Sequence, residues 1–411
     1  MKAIDRIVAF LCVIILMASP YRLFGSPLSL WIGCLAGFIN LAAYRKIQLP
    51  KSYVIMILYL VLIPPLVTIL LKTPGDLHTT LTAKTFITFT ILMLCLNSTL
   101  DWKSVLKIYK YCVYFCILIF YIQEVSYFFL NRRLTFYLPF LDNYYSGAGV
   151  TTDEFSLGTS TAKRSPSIFL ESAHFAQFIM PYVAMKMVEF TRNRKVWMEL
   201  AFLLFTMLIV RSGCGYLMLL AVILYVLICD KEISLGKKIT ASILALLAFT
   251  AITLLFSDHP LVSYIAQRAG EISMHTEVQG AHSGFLRMFR GYFIYASLPL
   301  ANQIFGTGAG SLIYFCNLEF DGLNYSGTYM NALQMSLCRG GLIGTILLIL
   351  FMLKIWKASC PESKGVFFAL VAMMLMEVSW LNSRMFFFIL IIYCLNRYES
   401  SNANKESIHC P

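Results

Sequence analysis

Apolar runs of roughly 17–22 residues recur along the whole of this 411-residue chain, with short polar turns between them. A run of that length is what an α-helix needs to cross about 30 Å of hydrocarbon. The pattern predicts spans near 7–20, 27–44, 53–71, 84–100, 109–130, 167–186, 196–210, 214–229, 239–257, 337–353, 366–381 and 385–396. The expected fold is an all-α polytopic membrane protein with about 12 transmembrane helices in a single transmembrane domain, 1–396. The last two runs read equally well as one long bent helix. The first run follows a short basic stretch, as a signal peptide would, but the spans behind it favour a retained first helix. No internal repeat and no soluble domain stand out. The polar tail, 397–411, reads as disordered.

Charge orients these spans. Arg45/Lys46/Lys51, Lys103/Lys107/Lys110, Arg192/Arg194/Lys195, Lys231/Lys237/Lys238 and Lys354/Lys357/Lys364 all fall between odd and even spans. Both termini share that side, which carries 20 Lys and Arg against 13 on the other. The positive-inside bias therefore places both termini in the cytoplasm. Two outer loops are long, about 131–166 and 258–336, and every other connection is brief. Long segments on one face are where function concentrates. Fifteen of eighteen lysines lie inside, yet ten of fifteen arginines lie outside. Arginine carries the planar fork suited to gripping phosphates.

Composition removes several function classes. With 59% hydrophobic and 13% charged residues and a mean hydropathy of +0.72, a soluble domain of this length could not hide its apolar surface. The net charge of +12 would suggest nucleic acid in a soluble chain; here it reflects orienting lysines, so no nucleic-acid partner is expected. Of twelve cysteines, eight lie inside apolar runs, and neither a disulfide framework nor a CxxC metal pair is evident. Walker loops, nucleophile elbows and kinase signatures do not occur, so no cytoplasmic nucleotide drives the chemistry and no cofactor is expected.

Three segments carry candidate chemistry. In the first, Arg164 to Gln177, Pro166 suits the first turn of a helix with Ser165 as its cap. Glu171 and His174, spaced i,i+3, would then share a face one to two turns below the outer surface. A carboxylate at that depth is costly and lines a polar cavity or knits two helices. In the second, Ser283 to Phe293, Ser283 could cap an amphipathic helix with Arg287 and Arg290 on one face. Those arginines either snorkel to headgroups or form a paired grip on a pyrophosphate. The third, Gly306-Thr-Gly308-Ala-Gly310, allows tight turns or close backbone approach to a ligand, and its spacing is not that of a Rossmann fingerprint.

Arg211 and Arg384 sit at tight outer turns, and Glu377 would share a face with Arg384 on one continuous helix. A salt bridge and a substrate role are both open for this set. Arg22, Arg132, Arg133, Arg268 and Arg339 have no motif around them and read as loop or headgroup contacts. No histidine pair has metal-ligand spacing, and Glu319-Phe-Asp321 has an E-x-D spacing common by chance.

Taken together, the spans, the long late outer loop, an outer Arg leading into a membrane "S-x-F-x-E-x-x-x-x-A" helix, and "SGFxR…G-x-G-x-G" resemble the bacterial O-antigen polymerase (Wzy-type) family, within the O-antigen polymerase/ligase superfamily. Tyr329 to Gly344 resembles that group's "H-N…G-x-x-G" stretch, with Met330 where ligase relatives often carry His. The resemblance implies polymerisation of undecaprenyl-pyrophosphate-linked repeat units at the periplasmic face of the inner membrane. It also brings in membrane lipid and a polysaccharide chain-length regulator as partner classes. On that reading Arg287 and Arg290 grip the pyrophosphate, with Arg164, Arg211 and Arg384 in support. Glu171 is the base, oriented by His174, and no metal is used. An O-antigen ligase, a lipid-linked oligosaccharide flippase and a scaffold without chemistry remain alternatives.

Overall fold

The computed structural model describes residues 2–45, 51–71, 99–130, 165–229, 286–308, 330–377 and 379–408, with short pieces at 141–143, 154–157 and 160–163 and single positions between. The described part is mostly helical. Its helices are α1 (Lys2–Ile14), α2 (Leu28–Tyr44), α3 (Lys51–Leu70), α4 (Trp102–Leu130), α5 (Ser172–Arg192), α6 (Trp197–Ile209), α7 (Gly213–Leu224), α8 (Gly291–Ser297), α9 (Leu300–Phe305), α10 (Ala332–Lys357), α11 (Pro361–Met376) and α12 (Ser383–Ile408). Ten of the predicted spans fall on these helices. Most of 84–100 and all of 239–257 lie outside the described residues.

Three helices, α3, α4 and α10, are long and apolar enough to cross a membrane. Large apolar side chains stand exposed along α3 (Ile55, Leu58, Leu62, Leu66 and Ile69), a surface that water would penalise and hydrocarbon would not. Both observations are consistent with a membrane protein. Helices α4 to α7 alternate in direction, as do α11 and α12, because polar contacts sort their ends into two groups. At the lysine end, the Arg192 guanidinium lies 2.7 Å from Glu362 and 3.7 Å from Glu399, and Lys186 lies 3.1 Å from Glu199. There the starts of α6 and α11 meet the finish of α5 and the middle of α12. At the arginine end, Arg211 lies 4.0 Å from Glu124 and Gln177 donates to the Cys214 sulfur, joining the later parts of α4 and α6 to the starts of α5 and α7.

Between the ends, aromatic packing fixes α5. The Tyr109 ring meets Phe178, Tyr182 and Phe387 edge-on, with centroids 5.6, 6.1 and 5.3 Å away. Pro181 interrupts the hydrogen-bond ladder of α5. At that break the Tyr109 hydroxyl donates to the Phe178 carbonyl (2.6 Å) and accepts from the Tyr182 amide (3.2 Å). A side chain thus enters the ladder and satisfies it.

The run 337–353 is not one continuous helix. Gly341 (φ 65°, ψ −170°) breaks α10, and the Thr345 hydroxyl donates to the Ser336 hydroxyl at 3.2 Å. Nine residues of straight helix would separate that pair by about 13 Å, so residues 332–340 form a half-helix folded sharply against the rest. The break strips helical partners from nearby carbonyls, which must be satisfied elsewhere. Cys338 O accepts from the Thr307 amide and hydroxyl (3.0 Å each), Arg339 O from the Gly308 amide (3.1 Å), and Gly340 O from Tyr59 (3.1 Å). Tyr59 also reaches Phe305 O (2.9 Å), and Thr68 reaches Thr307 O (2.8 Å), so α3 clasps the junction.

Three further expectations are corrected. The segments expected outside contain short strands: Tyr21–Leu23 pairs with Ser26–Pro27 and with Asp142–Asn143, and Glu154–Leu157 pairs with Ser160–Lys163. Phe24 (φ 51°) and Gly25 (φ 71°) turn the first hairpin with both central residues left-handed, the geometry that follows strand twist. Helices α8 and α9 lie within the stretch 258–336, where an amphipathic helix was expected. Glu377 and Arg384 do not share a continuous helix, since α11 stops at Met376 and α12 begins at Ser383. Finally, α12 continues to Ile408, so most of the tail expected to be disordered is helical; no Gly or Pro interrupts it before Pro411.

Candidate functional site

The segment before α5 departs from its predicted form. The helix begins at Ser172, and Pro166 lies outside it. Ser167 takes a left-handed turn (φ 58°), its amide donating to Gln123 Oε1 (2.8 Å), its carbonyl accepting from Gln123 Nε2 (2.9 Å), and its hydroxyl donating to Cys116 O (2.7 Å). These bonds from α4 hold 165–171 as a turn. Glu171 is consequently the residue before the helix, in extended conformation, with its side chain 38% exposed. It is not the buried carboxylate expected. His174 is buried, and its Nε2 lies 3.9 Å from Glu171 Oε2, so the predicted pair does meet. Arg164 lies outside the described residues. Gln123→Leu should orphan both the amide and the carbonyl of Ser167 and cost about 2–4 kcal/mol. Thermal unfolding of the detergent-solubilised protein checks this, and an unchanged midpoint would remove Gln123 as the anchor.

Arg287 and Arg290 lie in a single turn of π-helix, Leu286–Arg290, that runs into α8. The wider π turn suits i,i+3 pairing on one face less well than an α-helix does. Arg290 is 1% exposed and among the largest fully buried side chains described. It does not snorkel, in contrast to the interfacial alternative. The Arg287 side chain falls outside the described residues. This segment docks on the half-helix of α10. Gln334 Nε2 donates to Met288 O (2.6 Å), and Cys338 Sγ donates to Gly291 O (3.5 Å). A Cβ on Gly291 would lie 2.5 Å from the Gln334 Cβ, so only glycine lets the two elements approach this closely. Asn331 and Gln334 form a reciprocal cap that starts the half-helix. Met330 is fully buried and has no proton to exchange.

The same half-helix receives the third segment. Gly306 packs against the Arg339 backbone and the Gly308 amide donates to the Arg339 carbonyl, while Gly310 lies outside the described residues. On the other flank, the Arg339 guanidinium lies over the Trp380 ring, 5.8 Å from its centroid. Trp380 belongs to the turn between α11 and α12. Glu377 opens that turn, 7% exposed, and Arg384 follows it; Arg384 Nη1 donates to Glu377 Oε2 at 2.5 Å. Asn382 caps α12 by accepting from the amides of Arg384 and Met385, at 3.1 Å each.

Backbone strain collects at this end. Among described non-glycine residues with positive φ, Ser167, Arg211 (53°) and Leu381 (46°) lie in the turns that carry Glu171, Arg211 and Arg384. Each such residue costs on the order of 1–3 kcal/mol and persists only where its surroundings dictate it. Beside the cluster lies an apolar groove of about 420 Å³ between α10 and α11, lined by Leu333, Leu348, Met352, Phe368 and Leu375 among others and bare of polar lining. Its lining reaches Leu375, two residues before Glu377.

Arg339 thus lies on the half-helix, the segment bearing Arg290 docks on it, and Arg384 follows the turn whose Trp380 the Arg339 guanidinium covers, while Arg211 meets Glu124. Sequence reasoning missed Glu124 and set Arg339 aside. The available signal was the Gly340-Gly341 pair beside Arg339, a helix-breaking pair inside an apolar run. No group of three or more His, Cys, Asp or Glu side chains placed to hold a metal occurs among the described residues, and Glu319 and Asp321 lie outside them. No family model matches this chain, and no curated protein matches it.

Proposed function

We propose that this chain is a glycosyltransferase of the bacterial inner membrane that polymerises lipid-linked oligosaccharide repeat units, with about twelve spans and both termini cytoplasmic. The observation that supports the reading is the half-helix bearing Arg339, which packs on the segment bearing Arg290 and meets Trp380 in the turn before Arg384, beside an apolar groove. An amphiphile with a long apolar tail and a multiply charged anionic head fits both features, and a polyprenyl pyrophosphate is such a molecule. In the transfer, a hydroxyl of the incoming unit attacks the anomeric carbon of the growing chain. The bond from that carbon to the phosphate oxygen breaks, and the lipid pyrophosphate leaves with the electron pair. Arginines stabilise the charge gathering on the departing oxygen. The hydroxyl proton passes to a carboxylate, for which Glu171, with His174 at 3.9 Å, is the candidate.

The fixed arginines sit at one end of the bundle, which suits chemistry at a membrane face better than carriage through the midplane. Deleting the gene should leave single repeat units on the lipopolysaccharide core in place of a size ladder, and bare core would indicate a ligase instead. In the complemented strain, Arg290→Ala and Glu171→Ala should each shorten or abolish the ladder at normal protein level. A removed charge-stabilising donor typically costs about 100- to 1000-fold in rate. A full ladder in both variants would end this site assignment.

A further inference from the structure

We infer that the lysine end of the apolar groove binds an anionic phospholipid, its phosphate at Lys357 and Lys364 and one acyl chain against Trp356. The inference stands apart from the polymerase reading, which concerns the other end of the bundle. Both walls of the groove run into a lysine. On α10, Ile349 and Leu353 line the groove, and Lys357 is the next residue of that i,i+4 row. On α11, Leu375, Val371 and Phe368 line it, and Lys364 stands one turn before Phe368 on the same face. The Lys364 ammonium lies over the ring of Trp356, the residue next to Lys357, 5.1 Å from its centroid, which ties the two walls together at this mouth. Aromatic packing makes the mouth firm, with the Trp356 ring 5.3 Å from Phe367 and 5.4 Å from Phe368 between centroids. Among the described residues, no carboxylate pairs with Lys357 or Lys364, and no acceptor meets the Trp356 indole N–H. Two ammonium groups and an indole donor at the edge of an apolar slot match an amphiphile with an anionic head, and basic pockets between spans hold acidic headgroups in this way. A free phosphate would leave the slot unfilled, and a zwitterionic head brings a cation that the lysines repel. The occupant is therefore a phospholipid of net negative charge, from the inner leaflet when both termini are cytoplasmic. Its chain covers Leu353, Trp356 and Phe367. Leu375 lies about 12 Å further along α11 than Phe367, so that end of the groove stays open to the tail of the donor.

The experiment uses the full-length protein in vesicles of phosphatidylcholine with a minor share of phosphatidylglycerol. Bromine is carried on the acyl chains of one lipid or the other at the same mole fraction, and quenching of tryptophan fluorescence reports contact. The chain has five tryptophans, so the signal lost in Trp356→Phe is the contribution of Trp356. Brominated phosphatidylglycerol is expected to quench more than brominated phosphatidylcholine, and Trp356→Phe should abolish the excess. Lys357→Gln and Lys364→Gln should each lower the preference for phosphatidylglycerol about 5-fold, and together about 25-fold. Arginine at both positions should keep it. Because neither lysine holds a carboxylate, the glutamine variants should keep the parent's thermal midpoint. Lys103→Gln is the control: its ammonium lies over a different indole, that of Trp102, and the Trp356 excess should be unchanged. Equal quenching by the two brominated lipids in the parent would overturn the inference, as would an excess that survives in Lys357→Gln/Lys364→Gln. An excess that inorganic phosphate abolishes at constant ionic strength would make this a phosphate site and overturn it too.

Discussion

Replacing Gly341 by alanine is expected to destabilise the protein by about 2–6 kcal/mol and to abolish long-chain polymer. Two effects add. At φ 65° and ψ −170° an alanine is strained, at roughly 1–3 kcal/mol. Its Cβ would also overlap the Gly306 amide and the Ile304 carbonyl, and overpacking of that kind costs about 1–3 kcal/mol more. Gly306→Ala meets the same obstacle from the other side, since its Cβ would overlap the Arg339 carbonyl. The consequence runs beyond stability, because the half-helix carries Arg339 and docks the segment bearing Arg290. Gly213→Ala is the control: nothing lies within 4 Å of its Cβ, and its change should stay within about 0.5 kcal/mol. Thermal unfolding and the cellular size ladder read the two effects separately. A Gly341→Ala protein with parental midpoint and full ladder would show that the interlock organises nothing.

The contrast between Gly341 and Leu28 explains how much of this fold was legible. Helix α2 was expected at 27–44 and lies at Leu28–Tyr44, because its apolar run is bounded locally by Pro27 on one side and by the polar residues from Arg45 on the other. Hydropathy alone decides such an element. The run 337–353 is just as apolar, so a window average passes over its break. What breaks it is the meeting of Gly340-Gly341 with Gly306 and Gly308, more than thirty residues away, and a span pattern does not encode that pairing. The start of α5 failed for the same reason. Ile168, Phe169 and Leu170 extend the apolar run, yet Ser167 is held in a turn by Gln123 and Cys116 from α4. Glu171 consequently moved from a buried helix face to a half-exposed end. The site behaved likewise. The arginine asymmetry pointed to one end of the bundle, whereas the choice among arginines was made by motifs. Arg339 has no motif, and only the indole of Trp380, a contact across forty residues, brings it forward.

Glu377 and Arg384 allow stability and chemistry to be separated, because their contact is an ion pair across a turn and not a helix-face pair. Glu377→Leu should leave the Arg384 charge without this carboxylate. Removing one partner of a fully buried pair costs about 3–5 kcal/mol, and the partial exposure of Arg384 lowers the expectation to about 1–3 kcal/mol. Arg384→Met should cost a similar amount, since Glu377 is the more buried of the two. The double variant Glu377→Leu/Arg384→Met removes both charges together, and apolar replacements of buried pairs are often close to neutral. Its thermal midpoint should therefore lie above that of either single variant, with a coupling of about 0.5–3 kcal/mol. A purely structural pair predicts that the ladder follows the midpoint, lost in the single variants and restored in the double. A guanidinium that meets the departing pyrophosphate predicts the opposite: the double variant folds yet stays without long chains, because recovered packing cannot replace the missing donor. A full ladder from the stable double variant would remove Arg384 from the site and leave the anion to Arg290.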